Sequence, residues 1–95
     1  MNEAHGVLGG ESRPMIERRF RLQFEPAQGT HVLLYPEGMI KLNTSASEIL
    51  KRCDGRSTLA EITADLERAF ATQGLESQVR EFVEQALKKQ WLVLT

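Results

Sequence analysis

The chain has 95 residues, enough for one small domain. Apolar residues make up 41% of it and charged residues 26%, values that are typical of a globular protein and exclude disorder throughout the chain. Its uninterrupted apolar runs are far shorter than the ~20 residues of a membrane-spanning helix. Twelve Lys and Arg against thirteen Asp and Glu give a net charge of −1, so the basic excess of nucleic-acid-binding proteins is missing.

The first part of the sequence predicts a tail. Residues 1–14 are rich in glycine, lack periodic apolar positions and match no phosphate-binding loop. We therefore expect a flexible tail over 1–14 and a single domain over 15–95. No secretory signal is visible, and the lone Cys53 forms no internal disulfide, which favours a cytoplasmic location.

Three strands follow the predicted tail. Apolar and polar residues alternate over 18–24, as in a half-buried strand. The run over 31–35 is apolar on both faces, and a third run over 39–42 follows the tight turn Pro36–Gly38. Short connections predict an antiparallel meander whose middle strand is the doubly apolar one.

The period then changes to that of helices. Ser45 and Glu48 predict a capping box for the first helix, and Gly55 predicts its end. Thr58 and Glu61 predict the same box for a second helix, and a third is expected over about 77–90, followed by a core Trp91. The predicted fold is α+β, a three-stranded meander followed by a three-helix bundle, in the manner of a winged helix-turn-helix.

Catalytic chemistry is not supported by any motif. His5 and His31 lie far from each other in the predicted elements, and Cys53 lies on an apolar helix stripe without neighbouring ligands. A nucleophile with its base is not visible either. The sequence therefore predicts a protein that is not an enzyme, with no metal and no cofactor.

The edges of the predicted sheet indicate a binding surface instead. Arg18, Arg19 and Arg21 crowd the first strand, and charges of this kind protect an edge from pairing. The third strand has only Lys41, so it is the better place for an extended guest peptide. Two alternatives stay open: Lys41 alone protects this edge, or a second copy of the chain covers it.

Several short motifs together resemble the PqqD family. They are Val32-Leu33-Leu34-Tyr35-Pro36-Glu37-Gly38-Met39, Leu42-Asn43, Ser45-Ala46 with Ile49-Leu50, Cys53-Asp54-Gly55 and the closing Trp91-Leu92. The resemblance extends from about Arg19 to Leu94.

The resemblance implies a non-catalytic peptide chaperone of pyrroloquinoline quinone (PQQ) biosynthesis. Such a protein binds the ribosomal precursor peptide PqqA and presents it to the radical SAM enzyme PqqE. The guest peptide of this family adds to the third strand and contacts the third helix. On this chain the implied strand residues are Met39, Ile40, Lys41, Leu42 and Asn43, and the implied helix residues are Val79, Arg80, Phe82 and Val83.

Two other functions remain as alternatives: a winged-helix DNA-binding regulator and a quinone-binding accessory protein of the same pathway. The third helix mixes acidic and basic residues, which argues against a DNA-reading helix. Neither nucleic acid nor a membrane is expected as a partner. The oligomeric state is expected to be a monomer or a strand-exchanged homodimer.

Overall fold

The structure is a computed structural model that describes residues 8–95. The predicted α+β class, with an antiparallel meander and three helices, is confirmed. In chain order the elements are β1 (Pro14–Ile16), β2 (Arg21–Glu25), β3 (Thr30–Tyr35), β4 (Gly38–Lys41), α1 (Thr44–Leu50), α2 (Leu59–Ala69), α3 (Glu76–Lys88) and β5 (Leu92–Leu94).

The meander has the strand order β2-β3-β4. Leu22, Leu33 and Ile40 lie opposite one another in register and pack on the core. Val32 and Leu33 are neighbours on β3, so they point to opposite faces, and both are fully buried. This confirms the prediction that the strand apolar on both faces is the central one.

The start of α1 differs from the prediction. Asn43 is the N-cap, and its side-chain oxygen accepts a hydrogen bond from the Ala46 N–H at 2.8 Å. The predicted box of Ser45 with Glu48 is wrong, because the helix begins earlier: Asn43 is the N-cap, and its side chain satisfies the free N–H of Ala46 in the first turn. Glu48 is left to accept a hydrogen bond from Lys51.

The start of α2 agrees with the prediction. Thr58 and Glu61 form a reciprocal capping box, with both hydrogen bonds present. Before it, Gly55 adopts the left-handed conformation at φ 79°, where a Cβ atom would also approach the Met15 Sδ to 3.0 Å. Both requirements favour glycine at this position.

The core lies between the inner face of the meander and the three helices. Each fully buried Leu, Ile or Val contributes about 1.5–3 kcal/mol relative to an exposed position. The main buried apolar residues are Leu33, Leu42, Ile49, Leu50, Leu59, Ile62, Leu66, Val79, Val83, Ala86 and Leu92.

The N-terminal segment over 8–14 packs on the domain. Leu8 is 7% exposed within the core cluster, and Pro14 is fully buried in β1. The predicted flexible tail is therefore wrong for 8–14, while residues 1–7 lie outside the described part of the chain.

Backbone hydrogen bonds explain why this segment packs. The Ser12 carbonyl accepts from the Leu59 N–H at 2.7 Å, and the Gly10 carbonyl accepts from the Ala60 N–H at 2.9 Å. The first N–H groups of a helix have no partner within the helix. The segment supplies the acceptors that α2 needs, and composition alone does not predict that role.

A second sheet joins the two ends of the described chain. β1 and β5 pair antiparallel, with Met15 opposite Val93, and the Glu17 N–H donates to the Trp91 carbonyl at 2.8 Å. The expectation that Trp91 is core holds in part. Trp91 is half-buried and packs against the core cluster, with the Lys89 Nζ 5.7 Å from its ring centroid, whereas Leu92 is fully buried.

Candidate functional site

β4 turns two of its backbone N–H groups away from the meander. In an antiparallel pair, hydrogen-bonded residues alternate with residues whose N–H and C=O groups point outward. The Leu42 N–H donates to the His31 carbonyl at 3.1 Å, and these residues continue the β3–β4 register. Ile40 is therefore also paired with β3, whereas the N–H groups of Met39 and Lys41 point to the edge.

This edge is accessible. Among residues 8–95 no strand pairs with β4 on the side away from β3. Met39 is 46% exposed and Lys41 is exposed, while Ile40 packs against the core. The strand is thus held from inside by Ile40 and presents unpaired backbone groups outside, an arrangement that accepts an added strand.

An apolar groove of about 500 Å³ begins two residues beyond the end of β4. One wall is α1, and the other walls are the end of α2 and the first two turns of α3. The lining residues are Asn43, Thr44, Ser45, Ala46, Glu48, Ile49, Leu66, Phe70, Thr72, Leu75, Gln78, Val79 and Phe82.

Two polar side chains of the groove are already engaged. The Asn43 side-chain oxygen accepts from Ala46, and the Glu48 carboxylate accepts from Lys51 at 2.9 Å and from Arg52 at 3.0 Å. The Lys51 and Arg52 hydrogen bonds lower the pKa of Glu48, so this carboxylate stays ionised and paired at neutral pH. The part of the groove between Asn43 and Glu48 and the apolar walls is open, and it suits apolar side chains of a guest peptide.

The residues expected at the site fall into three groups. Asn43, Val79 and Phe82 line the groove together. Met39, Ile40 and Lys41 form the edge strand beside it. The remaining three do not face the groove as a guest would require: Leu42, Arg80 and Val83.

The reason differs within this last group. Leu42 and Val83 are buried in the core and do not line the groove, whereas Val79 is also buried but does line it. Arg80 lies on another side of α3, where its guanidinium binds Glu76 and the Leu8 carbonyl. The sequence gives the helix and its apolar stripe, but which side chains stay open depends on the neighbouring α2 and the N-terminal segment.

Two further residues line the groove that were not expected there, Phe70 and Leu75. Phe70 is the C-cap residue of α2 and is 51% exposed. Leu75 directly precedes α3 and packs half-buried against the core cluster. An aromatic residue at the end of an amphipathic helix was the one available signal.

Reactive groups are scarce in the described part of the chain. Cys53 is buried, and burial raises the pKa of its thiol to about 12, so it is protonated at neutral pH. Within residues 8–95 no three His, Cys, Asp or Glu side chains cluster as metal ligands would. None of the helices described there has the length and apolar character to span a bilayer.

Comparison with known proteins agrees with the sequence resemblance. Over 85 residues the chain is 52% identical to the PqqA binding protein of Pseudomonas aeruginosa strain UCBPP-PA14, which covers 88% of this chain and 92% of that protein. It is 50% identical over 82 residues to the PqqA binding protein of Azotobacter vinelandii strain DJ, covering 85% and 89%.

The fold also matches a solved structure. The solution NMR structure of the PqqD truncation of Methylobacterium extorquens PqqCD superposes with a TM-score of 0.76 at 27% identity, covering 94% of this chain and 97% of that one. That protein is described as a functional, stand-alone recognition element for ribosomally synthesized and post-translationally modified peptides. Residues 30–92 match the sequence family described as coenzyme PQQ synthesis protein D. The chain therefore belongs to the PqqD family.

Proposed function

We propose that this protein binds a PqqA precursor peptide as an added strand along β4 and presents it to the radical SAM enzyme PqqE. The relatives named PqqA binding proteins support the peptide, and their high identity over most of this chain supports the transfer. In this proposal the meander and the three helices serve a peptide and not DNA.

One observation carries the proposal: the groove begins at Asn43, two residues after the open edge strand β4 ends. The outward N–H groups of Met39 and Lys41 offer hydrogen bonds to any extended backbone. The groove that starts at Asn43 then receives apolar side chains between Phe70 and Phe82. Backbone pairing supplies affinity, and the groove supplies selectivity.

The protein acts in this proposal as a carrier without chemistry of its own. Strand addition fixes an otherwise flexible peptide in one extended conformation, so the enzyme meets a presented substrate and avoids part of the ordering cost. A peptide incubated with this protein alone is expected to keep its mass, and any covalent product contradicts this part of the proposal.

The test is titration of PqqA into ¹⁵N-labelled protein with backbone amide shifts recorded. We expect the largest shifts at Met39, Lys41 and the groove residues, and slowed amide exchange at Met39 and Lys41 once their N–H groups are hydrogen-bonded. Shifts confined to other surfaces, with exchange at β4 unchanged, would show that the guest binds elsewhere.

A further inference from the structure

A second, shallower pocket lies at the end of the meander where β3 turns into β4. It has a volume of about 250 Å³ and is lined by Arg19, Arg21, Leu34, Tyr35 and Pro36. Both arginines are exposed, and the proposed peptide site uses neither of them. Protection of a sheet edge requires charge alone, whereas here two guanidinium groups border one concave surface. We call this surface the arginine pocket.

The strand register places the arginine pocket on the outer face of the meander. Leu33 packs on the core, so its neighbour Leu34 points to the opposite, outer face. Leu34 lies opposite Arg21 on β2 and opposite Met39 on β4. Arg21, Leu34 and Met39 therefore form one row across the sheet, with Met39 at the edge where the guest peptide is proposed to pair.

The arginine pocket and the apolar groove lie at opposite ends of β4. The pocket is beside the turn that leads into β4 at Gly38, whereas the groove begins at Asn43, beyond the other end of the strand. The four residues from Met39 to Asn43 span roughly 13 Å in extended backbone. An extended guest whose apolar side chain enters the groove therefore leaves β4 next to the arginines.

The turn end of the meander is locally positive. Arg18, Arg19 and Arg21 against Glu17 give residues 17–21 a net charge of +2, whereas the whole chain has −1. Within the described part of the chain Arg21 has no ion pair, and Arg19 pairs only through its Nε, with Glu17 at 2.9 Å. The Nη groups of Arg19 and the guanidinium of Arg21 are thus left for an anion from outside.

The chemistry of the arginine pocket fits a carboxylate. A guanidinium presents parallel N–H donors whose spacing matches the two oxygens of a carboxylate, and this geometry favours Asp and Glu as ligands. Leu34 and Pro36 add apolar surface, against which the methylene groups of such a side chain pack. Glu37 of the adjacent turn forms no ion pair with either arginine in the described structure, so it leaves the pocket open.

We infer that the arginine pocket is a second subsite for the same guest, which binds an acidic side chain of PqqA where the peptide leaves β4 at the turn. This inference rests on the proposed function, because the guest must first lie along β4. It adds a requirement on the guest that the groove alone does not make: an Asp or Glu about five to seven residues from the apolar side chain in the groove. Because the two subsites differ in polarity, only one of the two strand directions satisfies both.

The first test exchanges charges between protein and peptide. Arg21→Glu is expected to weaken PqqA binding about fivefold, because repulsion takes the place of attraction. The acidic residues of PqqA are then replaced one at a time by Lys. One of these replacements should weaken binding to the parent protein and restore binding to Arg21→Glu. Fluorescence anisotropy at low salt measures the affinities, and added salt should narrow the difference between parent and Arg21→Glu.

Two variants with the same change of charge serve as controls. Arg56→Glu, in the exposed loop before α2, should alter the affinity by less than about twofold. Lys41→Glu lies on the same outer face as Arg21 but at the groove end of β4. If a Lys-substituted peptide recovers binding with Lys41→Glu and not with Arg21→Glu, the acidic residue lies at the wrong end of the strand and the inference is overturned.

Failure of the subsite is distinguishable from failure of the proposed function. If PqqA shifts the backbone amides of β4 but no acidic position of the peptide is coupled to Arg21, the subsite is wrong and the proposed function stands. If PqqA shifts no amide of β4, the proposed function fails and the subsite fails with it.

A spin label tests the direction of the guest without changing the arginines. Glu37→Cys places a nitroxide in the turn beside the arginine pocket, and Gln28→Cys places one in the hairpin loop at the other end of the sheet. Cys53 is buried, so the reagent modifies the introduced cysteine. The label at position 37 should broaden the resonances of the acidic end of isotope-labelled PqqA more than those of its apolar end, and the label at position 28 should do the reverse. Equal broadening, or the opposite pattern, contradicts the inference.

Discussion

The Arg80 guanidinium on α3 donates a hydrogen bond to the backbone carbonyl of Leu8, 72 residues earlier in the chain. The same guanidinium binds the Glu76 carboxylate one turn back on α3, which fixes its direction. Leu8 is thereby held with its side chain in the core cluster. A residue that the family resemblance implies in peptide binding thus acts, in the structure, as a tie between α3 and the N-terminal segment.

Truncating the N-terminal anchor is expected to destabilise the domain. Leu8→Ala removes a buried side chain and leaves a cavity, so we expect the free energy of unfolding to fall by about 2–4 kcal/mol. Glu11→Ala, in the same segment but exposed, is the control and should change it by less than about 0.5 kcal/mol. Urea denaturation measures both free energies of unfolding. Equal midpoints for Leu8→Ala and the parent protein would show that the N-terminal segment does not stabilise the domain, as expected of a flexible tail.

Proline substitutions along β4 are expected to alternate in effect. Lys41→Pro removes an outward N–H, so PqqA affinity should fall by roughly tenfold or more while the domain stays folded. Ile40→Pro removes an inward N–H and leaves the buried Leu33 carbonyl without its donor, so it should cost about 1–3 kcal/mol of stability. Calorimetric titration and thermal unfolding separate the two effects. Parental affinity in a folded Lys41→Pro variant would contradict pairing at β4.

Two equally exposed phenylalanines are expected to differ in peptide binding. Phe70 lines the groove and Phe24 lies at the other edge of the sheet, and both are 51% exposed. Phe70→Ala should weaken PqqA binding by about 1–2 kcal/mol, as loss of an aromatic contact in an interface does. Phe24→Ala should leave affinity unchanged. Fluorescence anisotropy with labelled PqqA measures both, and equal losses would exclude the groove.

The buried thiol of Cys53 is expected to make stability fall at alkaline pH. Burial raises its pKa from about 9 to about 12, so above pH 9 the unfolded chain releases a proton that the folded chain retains. The unfolded state then binds fewer protons, and the free energy of unfolding falls with rising pH by about 1 kcal/mol per pH unit up to about pH 12. Cys53→Ala removes this contribution, so the stability difference between parent and variant should narrow from pH 9 to pH 10. A constant difference would show that the thiol ionises in the fold.

Much of the secondary structure follows from local patterns. The period-two and helical stripes predicted the meander and the three helices, because side chains alternate on a strand and recur every three to four residues on a helix. The Thr58 and Glu61 box was predicted for the same local reason, since both hydrogen bonds lie within one turn. The motif combination from Val32 to Gly55 was also sufficient to identify the family.

Other features depend on contacts between distant parts of the chain. The β1–β5 sheet joins segments too short to show a period, and the segment over 8–14 is ordered because α2 needs acceptors for its first N–H groups. Contacts between distant segments also decide which apolar residues form the core and which line the groove. Phe70 and Val83 both lie at helical apolar positions, yet only packing leaves the first open and buries the second.

The sequence by itself therefore determined the order of the elements, the family and the strand at which a guest is expected, because all three are encoded in local patterns. Tertiary structure decided the outward direction of the Met39 and Lys41 N–H groups, the walls of the groove and the role of Arg80. The physical reason is that these depend on the register with β3 and on neighbours far along the chain, which no residue's own side chain specifies.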